Sequence, residues 1–161
     1  MTPAMLVRHA TVDDVAAIKT LVDWGASTGE LVPCPAEELA ERLDQFWVVA
    51  DSDQILGVCA LRPVAENLAE LCSLAVWPAW QRHGLGRQLV RACLDWGRQR
   101  RMHAVFALTF HPAYFEQLGF YRVEAQQAPP DVWEAYAQPA KTLVGNESVL
   151  RHDLRRVSEN L

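Results

Sequence analysis

Two glycines at the start of a predicted helix have the clearest chemical use in this sequence. Gly84 and Gly86 follow an apolar stretch, Leu71–Val76, and precede a segment whose apolar residues recur at helical spacing. The first N–H groups of a helix have no partner within the helix, and the helix dipole favours negative charge there. Because glycine has no side chain, a ligand can come close to these N–H groups. The pattern predicts an anion-binding turn, most often for a phosphate.

The turn differs from two common phosphate-binding motifs. No Gly-Lys-Ser/Thr follows it, as a P-loop requires, and Leu89 stands where a dinucleotide-binding fingerprint has its third glycine. The remaining pattern is Q-x-x-G-x-G over residues Gln81–Gly86, directly after a predicted strand. The alternative interpretation is an ordinary strand–loop–helix connection with helix-start glycines.

Composition limits the class of protein. The chain has 161 residues, half of them hydrophobic, which predicts one domain with a substantial core. Its formal net charge of −5 argues against nucleic acid or an anionic membrane as a partner. The basic cluster Arg98, Arg100 and Arg101 is interpreted as cations at a helix C-terminus. Neither a signal peptide nor a membrane-length apolar run is visible, so we expect a cytoplasmic protein.

The cysteines do not suggest a metal site. Cys34, Cys59, Cys72 and Cys93 form no C-x-x-C pair and have no regular spacing, and three of them fall in apolar runs. We therefore expect buried, reduced thiols and no bound metal.

The elements that position the glycine turn follow from periodicity and turn residues. One helix is predicted to begin at Thr11, where Asp14 completes a capping box. Another is predicted to follow the glycine turn. Strands are predicted at 5–7, 46–50, 55–61, 68–76, 105–109, 120–123 and 148–154, with a strand break at Arg62-Pro63. Two further helices are predicted at 36–45 and 113–118, and the second of them stops at Gly119. A helical turn is predicted at 131–137 and a loop at 25–35.

This order of elements, β-α-α-β-β-β-α-β-α-β-β, indicates an α+β fold. The N-terminal half is mostly antiparallel, and a strand–helix–strand crossover occupies the middle. One domain is expected over residues 1–154, followed by a polar tail at 155–161.

The Q-x-x-G-x-G turn resembles the acyl-CoA signature of the GNAT superfamily of N-acetyltransferases. Residues Tyr114–Phe120 resemble the second hallmark of that superfamily, a helix ending in Leu-Gly-Phe. Residues Leu6–Asp14 look like the opening of such domains. Three further segments resemble the GNAT domain of short N-acetylglutamate synthases, namely Leu68–Val76, Val105–Thr109 and Pro130–Trp133.

The resemblance implies a fold and a reaction. The fold would be a single GNAT-like domain with a mixed, mostly antiparallel central sheet flanked by helices and a splayed central strand pair. The reaction would move an acetyl group from acetyl-CoA, as co-substrate and without a metal, to a primary amine of a small molecule, for example an amino acid such as glutamate. The residues implied in holding acetyl-CoA are Leu74, Ala75 and Val76 of the strand and Gln81, Arg82, His83, Gly84, Leu85, Gly86, Arg87 and Gln88 of the turn.

Three residues are candidates for proton transfer. Glu70, at the head of the central strand, is in the place of the general base in the resembling enzymes; a solvated strand-end carboxylate is the alternative. Many GNAT enzymes have a tyrosine as leaving-group acid where this chain has Phe115. Its neighbour Tyr114 and the strand-end hydroxyl of Thr109 are both candidates for that role, and solvent is a third.

The sequence departs from the glutamate enzymes at their carboxylate anchors. Cys34 follows Leu-x-Pro where those enzymes have an arginine, and residues 145–148 lack the second one. Arg8, Arg62 and Lys141 are candidate replacements. Two other readings stay open: an acetyltransferase for protein N-termini or lysines, and a non-catalytic acyl-CoA sensor. A homodimer is also left open.

Overall fold

The computed structural model of the chain describes residues 5–134 and 147–154. The strands are β1 Met5–His9, β2 Phe46–Asp51, β3 Gln54–Ala65, β4 Leu68–Val76, β5 Ala104–Thr109, β6 Tyr121–Val123 and β7 Ser148–Asp153. The α-helices are α1 Val15–Ser27, α2 Ala36–Glu41, α3 Leu85–Gln99, α4 Pro112–Gln117 and α5 Pro130–Glu134.

The seven strands form one sheet in the order β1-β2-β3-β4-β5-β7-β6. β1 with β2, β2 with β3, β5 with β7 and β6 with β7 are antiparallel pairs, whereas β4 and β5 are parallel and are joined by α3. A parallel pair needs such a crossover, and a helix supplies it. The α+β prediction with a strand–helix–strand crossover is therefore confirmed.

The parallel pair is short. Leu68–Glu70 of β4 pair with Ala104–Phe106 of β5, whereas β5 pairs with β7 as far as Thr109. Within the described residues, the ladder between β4 and β5 thus ends at Glu70 and Phe106. This is the arrangement expected of a splayed strand pair.

The described residues fall into two compact units. The first comprises the residues up to Leu61 together with Cys72–Cys93, and the second comprises Arg62–Leu71 together with those from Leu94 onward. In the first unit the apolar face of α1, formed by Ile18, Leu21 and Val22, is fully buried in one core with residues of β2 and β3. The spacing of these residues is the helical period that predicted α1.

Gly57 of β3 lets side chains approach the strand closely in the first unit. A Cβ added there would lie 3.1 Å from side-chain atoms of Leu89, Val49 and Val76. Leu89 belongs to α3, so the missing side chain sets how near this helix packs to β3.

The second unit has its own core. Val64, Phe106, Ala128, Val132 and Val149 are buried together, and Val132 brings the short helix α5 into this cluster. Because α5 has only five residues, burial of Val132 rather than helix propensity keeps it in place.

Three predicted boundaries are wrong. α1 continues through Gly25, predicted as loop, because the side chain of Leu31 packs where a Cβ would lie. The second helix ends at Glu41, and a 3-10 turn follows, because Arg42 has a non-helical backbone. β3 runs through Arg62 and Pro63, where a break was predicted.

The β3 correction has a physical reason. Pro63 is exposed, and a strand tolerates proline where no ladder N–H is needed. The continued strand carries Arg62 with it. The predicted helical turn at 131–137 is α5 as far as Glu134, and its remaining residues, like the predicted tail at 155–161, lie outside the described residues.

Thr11 begins the first helical turn, as predicted. Its backbone N–H donates to Asp14 Oδ2 at 2.8 Å, and Arg8 Nη1 donates to the same oxygen at 2.7 Å. The Arg8 guanidinium and the Thr11 amide hold the pKa of Asp14 below its ordinary 3.8, against the opposite effect of burial.

None of the four cysteines, all of which lie in the described residues, is in a disulfide. Cys34, Cys59 and Cys93 are buried and Cys72 is half-buried. Among the residues that the structure describes, no helix is long and apolar enough to cross a membrane.

Replacing Asp14 by asparagine should lower the free energy of unfolding by about 1–2 kcal/mol near neutral pH, because a charged cap and its hydrogen bonds are lost. The folded state lowers the pKa of Asp14 from 3.8. The advantage of the wild type should therefore persist above that pH and disappear as the pH falls through the folded-state pKa. Urea unfolding of both proteins across this range is the measurement, and a difference independent of pH would contradict the assignment.

Candidate active site

The glycine loop, Gln81–Gln88, turns the chain from β4 into α3. Arg82 and Gly84 have left-handed backbones, with φ of 66° and 79°. The amide of Gln88 donates to the Gly84 carbonyl at 3.1 Å, the first hydrogen bond of the helix. The N–H groups of Leu85, Gly86 and Arg87 therefore belong to the first turn, where no acceptor exists within the helix.

Contacts within the first unit fix the shape of this loop. Gln81 Nε2 donates to the Val76 carbonyl at 2.8 Å, and His83 Nδ1 lies 2.9 Å from the Gln81 carbonyl. Leu85 is buried, whereas Arg82 and Arg87 are exposed and add positive charge. A Cβ at Gly84 would meet nothing within 4 Å, so open space surrounds this glycine. The predicted anion-binding turn thus has a hydrogen-bonded loop, open space at Gly84 and positive charge nearby, which are features suited to an anion.

The end of β4 leads directly into the loop. Ala75 is buried, and Leu74 and Val76 are half-buried. Ser73 has a left-handed backbone, with φ of 56°, inside the strand. Such a conformation costs a non-glycine residue about 1–2 kcal/mol and is found mostly at functional sites. The Val76 carbonyl accepts a hydrogen bond from the side-chain amide of Gln81.

Glu70 lies in the second unit and is almost completely buried, with 1% of its surface exposed. Arg62 Nη2 donates to Glu70 Oε1 at 2.5 Å and to the Asp131 carbonyl at 3.1 Å. A solvated strand-end carboxylate, the alternative interpretation, is therefore excluded. Glu70 is also the last residue of β4 in the ladder with β5.

Burying a carboxylate is costly unless a cation and hydrogen bonds compensate. Arg62 supplies that compensation. Its side chain is 20% exposed, compared with 2% for Glu70. Solvent therefore reaches the Arg62 side chain more readily than the Glu70 carboxylate.

The two candidate acids lie in different surroundings. Thr109 Oγ1, at the end of β5, accepts the backbone N–H of His111 at 2.9 Å. A hydroxyl that accepts one hydrogen bond keeps its own O–H for donation. Tyr114 is 38% exposed on α4, and Phe115 beside it is buried against Phe120 with ring centroids 5.5 Å apart. The position where many GNAT enzymes have tyrosine is thus part of the core here.

Two of the three candidate carboxylate anchors are in ion pairs. Arg8 is paired with Asp14 in the first unit, and Arg62 is paired with Glu70 in the second. Lys141 lies outside the described residues.

Sequence reasoning missed the contact between Arg62 and Glu70. The sequence did contain a signal for this contact. Arg62 and Glu70 have opposite charges and lie on either side of the short connection between two predicted strands. The predicted strand break at Arg62-Pro63 concealed it.

Comparisons with known proteins agree with this arrangement. A family model described as the Acetyltransferase (GNAT) family matches residues 15–124. An amino-acid acetyltransferase of Mycobacterium tuberculosis is 33% identical over 132 residues, which cover 80% of this chain and 75% of that protein. An uncharacterized N-acetyltransferase of Chlorobaculum tepidum is 28% identical over 141 residues, 88% of this chain and 91% of that one.

Two solved structures are similar. Rv2747 of Mycobacterium tuberculosis, in complex with CoA and a second compound, has a TM-score of 0.80 at 30% identity and matches 93% of this chain and 99% of its own. The N-acetylglutamate synthase of Neisseria gonorrhoeae, complexed with coenzyme A and N-acetyl-glutamate, has a TM-score of 0.85 at 24% identity. It shares the fold over 97% of this chain, which spans only 36% of that longer protein.

The sheet, the glycine loop and these matches define an acyltransferase. The chain belongs to the acetyltransferase (GNAT) family and is an N-acetyltransferase. Coenzyme A carries a diphosphate, and the N–H groups and open space of the glycine loop suit such an anion. No group of acidic, histidine or cysteine side chains suited to a metal ion occurs in the described parts of the chain.

Replacing Gly84 by alanine should weaken CoA binding roughly 10-fold, because a side chain there strains the left-handed backbone and fills the space beside the helix N–H groups. Gly29 is a matched control, since it has φ of 84° and equally open surroundings in another loop. Both variants should lose similar stability, about 1 kcal/mol. Thermal shifts with increasing CoA measure the difference, and equal CoA affinity in the two variants would contradict the assignment.

Proposed function

We propose that the protein transfers an acetyl group from acetyl-CoA to the primary amine of a small molecule of the amino-acid class. The observation that carries the proposal is Glu70, a buried carboxylate placed where the ladder between β4 and β5 ends. The similarity to an amino-acid acetyltransferase of Mycobacterium tuberculosis supports the acceptor class.

In this proposal the glycine loop binds the donor. The N–H groups of Leu85, Gly86 and Arg87 hold the diphosphate, with Gln81, Arg82, His83, Gly84 and Gln88 shaping and charging the turn. Leu74, Ala75 and Val76 offer strand backbone to the extended arm of the coenzyme, as in strand addition. The thioester supplies the activated acetyl group.

Glu70 is the proposed general base. An amine attacks a thioester only as the free base, so its proton must pass to a carboxylate, directly or through water. Thr109 is the proposed proton donor to the leaving thiolate. Its oxygen accepts the His111 N–H, so its O–H is available to point away from the backbone.

We do not propose glutamate as the acceptor. Cys34 stands where the glutamate enzymes have an arginine, and it is buried. A thiol offers no charge to a second carboxylate. The proposed acceptor is therefore an amino acid whose only carboxylate is the one beside the amine.

A thiol-release assay with acetyl-CoA tests the proposal. At least one of the standard L-amino acids should release free CoA, and mass spectrometry should find its N-acetyl product. Release only with peptides or polyamines, or none with any amine although CoA still binds, would contradict it.

Replacing Glu70 by glutamine should lower kcat by about 10²–10⁴-fold, the usual effect of removing a general base. The amide keeps the size of the side chain and an oxygen for Arg62, so the fold should survive. The affinity for CoA should change by no more than about twofold. Steady-state kinetics and thermal shift measure both, and an unchanged kcat would remove Glu70 from this role.

Replacing Thr109 by valine should lower kcat by at least about 10-fold, because the isosteric side chain cannot donate a proton. Tyr114→Phe is the matched comparison, since it also removes one hydroxyl and should leave kcat within about twofold. The reverse outcome would transfer the role to Tyr114. Two unchanged variants would assign it to solvent.

A further inference from the structure

The ion pair between Arg62 and Glu70 includes a further hydrogen bond, from Arg62 to the backbone. Arg62 Nη2 contacts both the Glu70 carboxylate and the Asp131 carbonyl. Asp131 lies in the first turn of α5, and its neighbour Val132 is fully buried with Val64 and Phe106. The guanidinium is thus held by a packed helix as well as by its carboxylate.

We propose that Arg62 binds the carboxylate of the acceptor amino acid while Glu70 takes its amine. This inference rests on the proposed function, and it assigns to Arg62 the carboxylate that lies beside the acceptor amine. On binding, the acceptor carboxylate takes the place of Glu70 on the guanidinium. Glu70 turns to the ammonium group and removes its proton.

Charge balance supports this exchange. Arg62 and Glu70 together carry no net charge, and Glu70 is buried. A simple amine brings a second cation to a pair that already contains one, and like charges repel each other strongly in a buried place. A zwitterion brings one charge of each sign, so its carboxylate can pair with Arg62 and its ammonium group with Glu70.

The geometry of the guanidinium also suits the exchange. Arginine has five N–H donors in a planar fork that matches the two oxygens of a carboxylate. The hydrogen bond to the Asp131 carbonyl does not depend on Glu70, so it keeps the fork in place when the carboxylates are exchanged. Arg62 is also the more exposed side chain of the pair.

The assignment makes Arg62 a specificity-determining residue. An α-amino acid should be preferred over its own carboxamide, which has the amine but no negative charge. The same preference should exclude polyamines and lysine side chains, because these bring further cations to Arg62.

The first test compares kcat/KM for amino acids and their carboxamides. In the wild type the ratio of acid to amide should exceed one for the best L-amino acid. Replacing Arg62 by methionine should reduce that ratio roughly 10- to 100-fold, the effect expected when a charge-assisted hydrogen-bonded contact is lost. Because the same two acceptors are used throughout, their own basicities cancel when variant and wild type are compared.

Arg8→Met is the matched control. Arg8 forms a comparable pair with Asp14, at 2.7 Å and with side chains 32% and 9% exposed, in the other unit. This variant should lose stability and keep the wild-type ratio of acid to amide. A ratio that falls equally in both variants would overturn the proposal, as would a ratio unchanged in Arg62→Met.

The second test is independent of turnover and of the stability of Arg62→Met, which leaves Glu70 buried without its cation. Glu70→Gln and the double variant E70Q/R62M contain no buried carboxylate at position 70, so neither variant leaves an unpaired anion in the core. Calorimetry in the presence of CoA should show amino-acid binding to Glu70→Gln and at least roughly 10-fold weaker binding to the double variant. Equal binding by the two would overturn the assignment of Arg62.

The proposed function and the proposed role of Arg62 can be contradicted separately. If no amine releases CoA, the proposed function fails, and calorimetry alone decides on Arg62. If amino acids are acetylated without preference over their carboxamides, the proposed function stands and Arg62 is not the anchor.

Discussion

The buried carboxylate of Glu70 is the constraint on which the arrangement around it depends. Removing a carboxylate from water is so unfavourable that a protein must surround it with compensating groups. Here the compensation comes from Arg62, and Arg62 is in turn held by the carbonyl of Asp131. The continuation of β3 beyond Leu61 and the burial of α5 through Val132 both serve to bring these groups together.

The glycine loop, which we propose binds the diphosphate of the donor, offers mainly backbone groups. Two left-handed residues, Arg82 and Gly84, and the hydrogen bond from the Gln81 side chain to the Val76 carbonyl give the loop its shape. In the function that we propose, backbone groups of the glycine loop bind a constant part of the donor, and side chains of the second unit act on the acceptor.

The sequence predicts elements well where local chemistry alone decides them. β4 has its predicted limits because a turn with Asn67 at φ of 63° precedes it and Pro78 follows shortly after it. Gly119 ends α4 as expected, with φ of 97°. Both signals act within a few residues, so no tertiary information is needed.

The failures occur where tertiary packing overrides local preference. Gly25 and Pro63 are both loop formers by local chemistry. Packing of Leu31 retains the first in α1, and the sheet retains the second in β3. The glycine loop was predicted from its motif, whereas the partner of Glu70 was not, because strand register depends on contacts that a single sequence does not state. The predicted roles of Thr109 and Tyr114 remain predictions.

The two compact units are interleaved along the chain, since it leaves the first at Arg62, returns at Cys72 and leaves again at Leu94. β3 and β4 each contribute residues to both units. No single truncation can therefore isolate either unit. Each can form only after segments distant in sequence have met, which is typical of slow, cooperative folding. Such a chain should resist stepwise proteolysis and lose the structure of both units in one event.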